Sequence, residues 1–310
     1  MPNFNSFQEL LTYCDEKQCT VSEAALQYEE AYSGQSREAI LNGMRGILQQ
    51  MRDTVANGIV SQEPSMSGLS GGDARRIMDF MNHPQCFLSP LDMKIIAYGL
   101  ATLEENSRMK RIVACPTAGG SGSVPAALLA VENEKNIDPE QTLKGLIAGG
   151  VIGEITSRRM FLSGSAAGCQ AEVGVASGMA AGGLVEMMGG NPKQVIEAAA
   201  ISMQNLMGLV CDPVAGLVEV PCVVRNGLSG GQAAAAATMA LAGVQSFIPM
   251  DEVVEAMAAV GKLMHPSLKE TAEGGLAQTR TAKTFTERFK APKTIEEVVS
   301  SSAKPQKSLE

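Results

Sequence analysis

Three cysteines sit in settings that suit an anionic ligand. Cys169 follows the run FLSGSAAG and opens a helix pattern with glycines at every fourth position, while Cys211 and Cys222 bracket the stretch VCDPVAGLVEVPC. A thiolate near a helix start is stabilised by free N–H groups and by the helix dipole, the features that also hold a metal–sulfur cluster. Pro213, Gly216 and Pro221 interrupt any helix between the second and third cysteine. Both side chains are therefore free to turn toward Cys169 instead of projecting from one continuous helical surface. Their separations match no zinc or ferredoxin pattern built on C-x-x-C, and cysteine also serves as a small buried hydrophobe. By residue type and spacing, a ligand set and plain core packing both stand.

A second constellation is ACPTAGGSGSVP, where Thr117, Gly119, Gly120, Ser121, Gly122 and Ser123 offer N–H groups and hydroxyls just before a helix. Such a loop suits a carboxylate or phosphate, and equally a turn with a helix cap. Pro125 stands where a dinucleotide fingerprint needs its third glycine, and there is no P-loop lysine, which disfavours a nucleotide. SGLSGGDAR is a weaker loop of the same kind. The two histidines, His83 and His265, each precede a proline and read as helix-end punctuation. Cys14, Cys19 and Cys86 read as packing residues, and Cys115 abuts the glycine loop. Glu154, Arg158, Glu172, Glu186 and Arg225 have small apolar neighbours and read as partly buried, paired structural charges.

The elements that must position these groups are helices. The 310 residues contain 4% aromatics, no Trp and 18 Met. Ala, Gly and Met fill the apolar positions, a composition that favours close-packed helices over sheets. Ile40, Leu41, Met44, Ile47, Leu48, Met51 and Val55 recur at helical spacing, so residues 22 to 56 predict a helical pair. Asp73, Ser89 with Pro90, and Asp138 with Pro139 mark further helix starts. Gly174, Gly178 and Gly182 share one face of a predicted central helix, where a second backbone can approach closely. Later helices are predicted over 192–207, 230–245 and 251–264, with a polar, frayed end beyond about Ala282. The fold class expected is mostly α, a compact multi-helix domain with glycine-rich loops and a central helix of small residues.

A net charge of −8 argues against nucleic acid as a partner. The N-terminus lacks a basic segment followed by an apolar core, and the longest weakly polar stretch is mostly Ala. Neither a secretory signal nor a membrane span is expected, and a cytoplasmic protein follows. Seven cysteines in such a chain are expected to be reduced, buried or metal-bound.

Taken together, RIVACPTAGGSGSVPAALLA, the long run from FLSGSAAGCQAEVG to VEVPCVVRN, and HPSLKETAEGGLA resemble the alpha chain of the iron–sulfur-dependent bacterial L-serine dehydratases over most of residues 60 to 280. That resemblance implies a [4Fe–4S] cluster held by Cys169, Cys211 and Cys222, with one iron left open as a Lewis acid for the substrate hydroxyl. It implies deamination of L-serine to pyruvate and ammonia, and no pyridoxal phosphate. It makes the glycine loop a carboxylate clamp, with Thr117, Ser121 and Gly122 as the substrate-binding residues. The domain plan becomes an N-terminal helical segment over 1–60, an alpha-type catalytic domain over 61–282 and a polar tail over 283–310. The Ser-Ser-His-Thr-type segment of the single-chain relatives is absent, so a separate beta chain is the expected partner in a hetero-oligomer and the expected source of the base. GGLAQTRTAK lacks the cysteine that those relatives tend to carry near their C-terminus. The alternatives are an iron–sulfur L-cysteine desulfidase, a non-catalytic cluster-bearing sensor subunit, and a cluster-free helical scaffold.

Overall fold

The computed structural model describes residues 4–290. The chain opens with α1 (Phe7–Lys17), α2 (Val21–Ser33) and α3 (Arg37–Gly58). Ser6, Thr20 and Ser36 cap these helices, each side chain accepting the N–H three residues on. A glycine-rich loop leads to α4 (Asp73–Phe80) and then α5 (Pro90–Ser107). The start of α5 is a capping box, with Ser89 and Asp92 each accepting the other's backbone N–H and Pro90 at the first turn. Next come α6 (Ser123–Lys135), α7 (Pro139–Arg159) and the single turn α8 (Gly164–Ala167). A π-turn over Gln170–Gly174 feeds α9 (Val175–Met187), followed by α10 (Pro192–Asn205), α11 (Cys222–Leu241), α12 (Met250–Leu263) and α13 (Arg280–Lys290). Among the described residues there is no strand, only an isolated bridge between Cys211 and Lys269.

The mostly α fold expected from composition is the fold observed. Helix α9 is its axis: every residue from Val175 to Met187 is buried, and α7, α10, α11 and α6 pack around it. Small residues make this possible. Gly145 of α7 and Gly183 of α9 face each other so closely that a Cβ on either would lie 2.6 or 2.7 Å from the other's carbonyl oxygen. Gly178 meets Met203 of α10 in the same way, a Cβ there lying 2.7 Å from the methionine side chain. Around this axis Leu128, Leu143, Ile152, Ile155 and Met203 are almost fully buried, each contributing about 1.5–3 kcal/mol through removal from water.

Three boundaries differ from the sequence reading. Helix α11 begins at Cys222, eight residues before the predicted start, because Pro221 occupies its cap and the Val-Val pair is accommodated inside the helix. Asp73 is the first helical residue of α4, and Gly72, with a left-handed φ of 80°, takes the cap position. Of the segment read as a polar tail, 283–290 belongs to α13, whose Ala282 is buried; the remainder, 291–310, lies outside the described residues. No helix among the described residues is long and apolar enough to cross a membrane.

Candidate functional site

Cys169 stands at the entrance to the π-turn, Cys211 in the loop after α10, and Cys222 on the first turn of α11. Folding buries all three, at 2, 2 and 5% exposure. Each approaches by a different local device. The π-turn places Glu172 in the widened stretch directly after Cys169, and such turns recur at functional sites. Cys211 is held by backbone pairing: its N–H donates to the Leu268 carbonyl at 2.8 Å, and its carbonyl accepts from the Glu270 N–H at 2.8 Å. The HPSLKET segment thus lies alongside the loop that carries Cys211. Cys222 emerges from the irregular stretch 213–221, whose 3-10 turn holds Ala215 at a left-handed φ of 57°.

The Sγ atoms of Cys169 and Cys211 and a carboxylate oxygen of Glu172 lie within 4.8 Å of one another. Cys222 stands just outside that group, in electrostatic reach of both thiols. The electrostatics are uneven. A hydrogen bond from Cys211, aided by the Arg225 guanidinium, pulls the Cys169 thiol below its ordinary value. The same bond, together with burial, pushes Cys211 up. Burial pushes Cys222 up to about 12, with the charge on Cys169 adding to it. Burial also raises Glu172, against the opposing pull of the Thr117 hydroxyl.

Arg225 joins the pieces. Its Nη1 donates to Cys169 Sγ at 3.6 Å and to the Val210 carbonyl at 2.9 Å, and its Nη2 donates to Asp212 Oδ1 at 2.9 Å. Asp212 Oδ2 in turn accepts the Leu276 N–H at 2.8 Å, tying the GGLA segment to the cysteine loop. Asn226, fully buried one residue further on, donates through Nδ2 to the carbonyls of Gly119 (2.7 Å) and Cys222 (2.9 Å), and accepts the Gly122 N–H at 2.9 Å. The first turn of α11 therefore anchors the glycine loop and presents Cys222 together. Glu219 accepts the hydroxyls of Ser67 and Ser70, both at 2.7 Å, fastening the other glycine-rich loop to the approach to Cys222.

The family profile described as "Serine dehydratase alpha chain" matches residues 16–277. This chain belongs to the serine dehydratase alpha chain family. It is 43% identical over 280 residues to the "Probable L-serine dehydratase, alpha chain" of Bacillus subtilis (strain 168), covering 90% of this chain and 93% of that one. It is 36% identical over 285 residues to the "L-serine dehydratase, alpha chain" of Peptoniphilus asaccharolyticus, covering 92% of this chain and 98% of that one. The "L-serine dehydratase 1" of Escherichia coli (strain K12) is 36% identical over 284 residues, 88% of this chain but 61% of the relative.

On this dehydratase-family chain Cys169 and Cys211 come together beside Glu172, Cys222 stays in electrostatic reach of both thiols, and the glycine loop meets Glu172 through one residue. Thr117 Oγ1 donates to Glu172 Oε1 at 2.7 Å. Ser121 is fully buried and donates to the Ala118 carbonyl at 2.8 Å, while the Gly122 N–H is the one taken by Asn226. These two hold the loop's shape from within. His83 and His265 are exposed, His83 stacking on Phe80 and His265 capping a 3-10 turn. Glu154 and Arg158 do form an ion pair, and Glu186 accepts the N–H and hydroxyl of Ser22. Glu172 and Arg225, read as structural charges with them, belong to the site instead. Helical spacing carries the signal: each follows a cysteine by three residues, which places it on the cysteine's own face. Asn226, at the next position on that face, was not singled out.

Proposed function

We propose that this chain is the cluster-bearing subunit of an enzyme that converts L-serine to pyruvate and ammonia, acting with a beta chain. Cys169, Cys211 and Cys222 are the residues that hold a [4Fe–4S] cluster. The observation that carries this reading is the meeting of the buried Cys169 and Cys211 thiols beside Glu172, with the buried Cys222 in electrostatic reach of both, in a chain whose relatives are named for L-serine dehydration. The donor set fits: thiolates are the ordinary ligands of iron–sulfur clusters, and Cys169 is already favoured as a thiolate.

Bound there, the cluster supplies a Lewis-acidic iron toward which the β-hydroxyl of serine can be drawn. The remaining work belongs to side chains. Arg225 donates to Cys169 Sγ and fixes the cysteine loop through Asp212. Thr117 orients Glu172 toward the thiols, and of the three residues read as a carboxylate clamp it alone presents its side chain to the site. Ser121 and Gly122 hold the loop in place. Water is eliminated across Cα–Cβ, and hydrolysis of the resulting imine restores it while releasing pyruvate and ammonia. The group that takes the Cα proton belongs to the beta chain.

The test is anaerobic co-expression with the beta partner, assay of iron and acid-labile sulfide, and measurement of pyruvate from L-serine. About four of each per alpha chain with steady pyruvate production is the expected result. Protein that stays iron-free after reconstitution removes the cluster reading. Loaded protein that makes sulfide from L-cysteine and no pyruvate from serine replaces the substrate.

A further inference from the structure

We infer that Glu172 is the oxygen ligand of the iron that the three cysteines leave without a thiolate, closing the centre until substrate displaces it. This rests on the cluster reading above and adds a fourth protein ligand to it.

The geometry comes first. The carboxylate shares a site with Cys169 and Cys211, all three ligand atoms lying within 4.8 Å of one another. None of the other five cysteines, Cys222 included, joins that group among the described residues. Thr117 fixes Oε1, and the Gly164 N–H holds the carboxylate as well. Oε2 is enclosed by bare backbone. A Cβ at Gly119 would lie 2.8 Å from it and a Cβ at Gly164 2.7 Å, with Cys211 Sγ 2.8 Å from that same Gly164 position. Glycine at these two places lets the backbone close around the carboxylate and Cys211 together.

The charge argument points the same way. The donors to Glu172 are a hydroxyl and an amide, both neutral. A second carboxylate, Glu270, acts on it repulsively. Arg225, the local cation, is engaged by Cys169, Asp212 and the Val210 carbonyl. A carboxylate drawn out of water is ordinarily paired with a cation or bound to a metal, and this half-buried one makes no ion pair among the described residues. Carboxylate oxygen binds iron but is a harder donor than thiolate, so it is the exchangeable member of such a ligand set. When the serine hydroxyl takes its place, Thr117 and Gly164 keep the released carboxylate beside the reacting atoms. No electron moves in this exchange.

Two measurements on the loaded alpha–beta enzyme test the assignment. With glutamate labelled by carbon-13 in its side-chain carboxylate, the reduced cluster is expected to show a resolved carbon-13 hyperfine coupling that disappears with saturating L-serine. In Glu172→Gln, mild oxidation is expected to convert the four-iron cluster to a three-iron form at least about tenfold faster than in the parent enzyme, the scale on which altered metal ligation is felt. A melting curve of the metal-free variant that matches the parent keeps misfolding out of that result. A fully loaded parent cluster without carbon-13 coupling, or a variant that keeps its fourth iron as long as the parent does, overturns the ligand assignment and leaves the cluster reading intact. A parent enzyme that takes up no cluster overturns both.

Discussion

Two buried charge centres in this molecule are built on opposite plans. Around Arg108, the residue that caps the C-terminus of α5, every group is matched. Its guanidinium donates to Glu105 at 2.7 Å, to Glu104 at 3.1 Å and to the Glu63 carbonyl at 2.8 Å. Glu104, fully buried, also accepts the N–H groups of Gly72, Asp73 and Ala74 at the start of α4. Around Cys169 the balance is different. Three thiols and the carboxylates of Glu172 and Asp212 share one arginine. The first centre is closed and needs nothing further. In the second, two thiols and the Glu172 carboxylate lie within 4.8 Å of one another, and Glu172 has no ion pair among the described residues. Burial alone therefore does not mark a functional charge; the number of partners does, and by that measure Glu104 is architecture while Glu172 is the residue proposed above as a ligand.

The sharpest way to separate the two centres is to remove a thiol. Cys211→Ser is expected to lose all chelator-resistant iron, while the metal-free variant melts within about 1 kcal/mol of the metal-free parent, the ordinary scale for a small local change. Iron and sulfide analysis beside thermal melting reads both. A fully loaded, active Cys211→Ser protein would remove that residue from the site and the comparison with it.

The converse applies at the closed centre. Arg108→Met leaves Glu104 and Glu105 buried without their cation, a loss of about 3–5 kcal/mol. Urea unfolding of the metal-free chain measures it. Iron bound per folded chain should stay at the parent value, because no part of that centre touches the cysteines.

Between these extremes lies Arg225, which serves both architecture and site. Arg225→Gln removes the charged donor from Cys169 and loosens Asp212, and iron is expected to be held about 10–100-fold less tightly. Competition with a chelator gives the ratio. Arg225→Lys restores a charge without the fork that reaches Cys169, Val210 and Asp212 at once, so it should recover only part of the loss. Full recovery by lysine would show that charge, not the three-way geometry, is what matters.

What sequence makes legible here follows from range. Local rules placed the caps at Ser89 and Asp138 and the amphipathic run of α3, because a cap or a stripe is decided within a few residues. The three cysteines were legible through their surrounding motifs, since their spacing matched no metal pattern. Less was visible where the partners are distant. Thr117 and Glu172 meet across α6 and α7, and Asn226 reaches back to Gly119, contacts that no local window contains. The Arg108 centre was hidden for the same reason, its carboxylates capping a helix that begins in another segment. The early start of α11 was obscured by Pro221 and two β-branched valines, which look like loop or strand until burial of Val223 against Leu100 and Leu103 of α5 outweighs their propensity.

A surface pair supplies the lower bound on what a charge contributes in this fold. Glu23 of α2 faces Arg37 at the start of α3, with both side chains roughly one-third or more open to solvent, at 33 and 41%. The hydrogen bonds from Arg37 hold Glu23 below its ordinary value of 4.5, against a smaller opposing effect of burial. The folded state therefore releases this proton more readily than the unfolded chain does. The pair's stabilisation is complete above the unfolded value and is lost as pH falls through the lower, folded one. Solvent screening keeps it to about 0.2–1 kcal/mol at neutral pH. Melting curves of the parent and Glu23→Gln should differ slightly at pH 7, converge as the pH is lowered below 4.5, and draw together with added salt. A gap that persists unchanged into acid would mean that the glutamine disturbs packing between α2 and α3, since a charge effect must vanish once the carboxylate is protonated in both states.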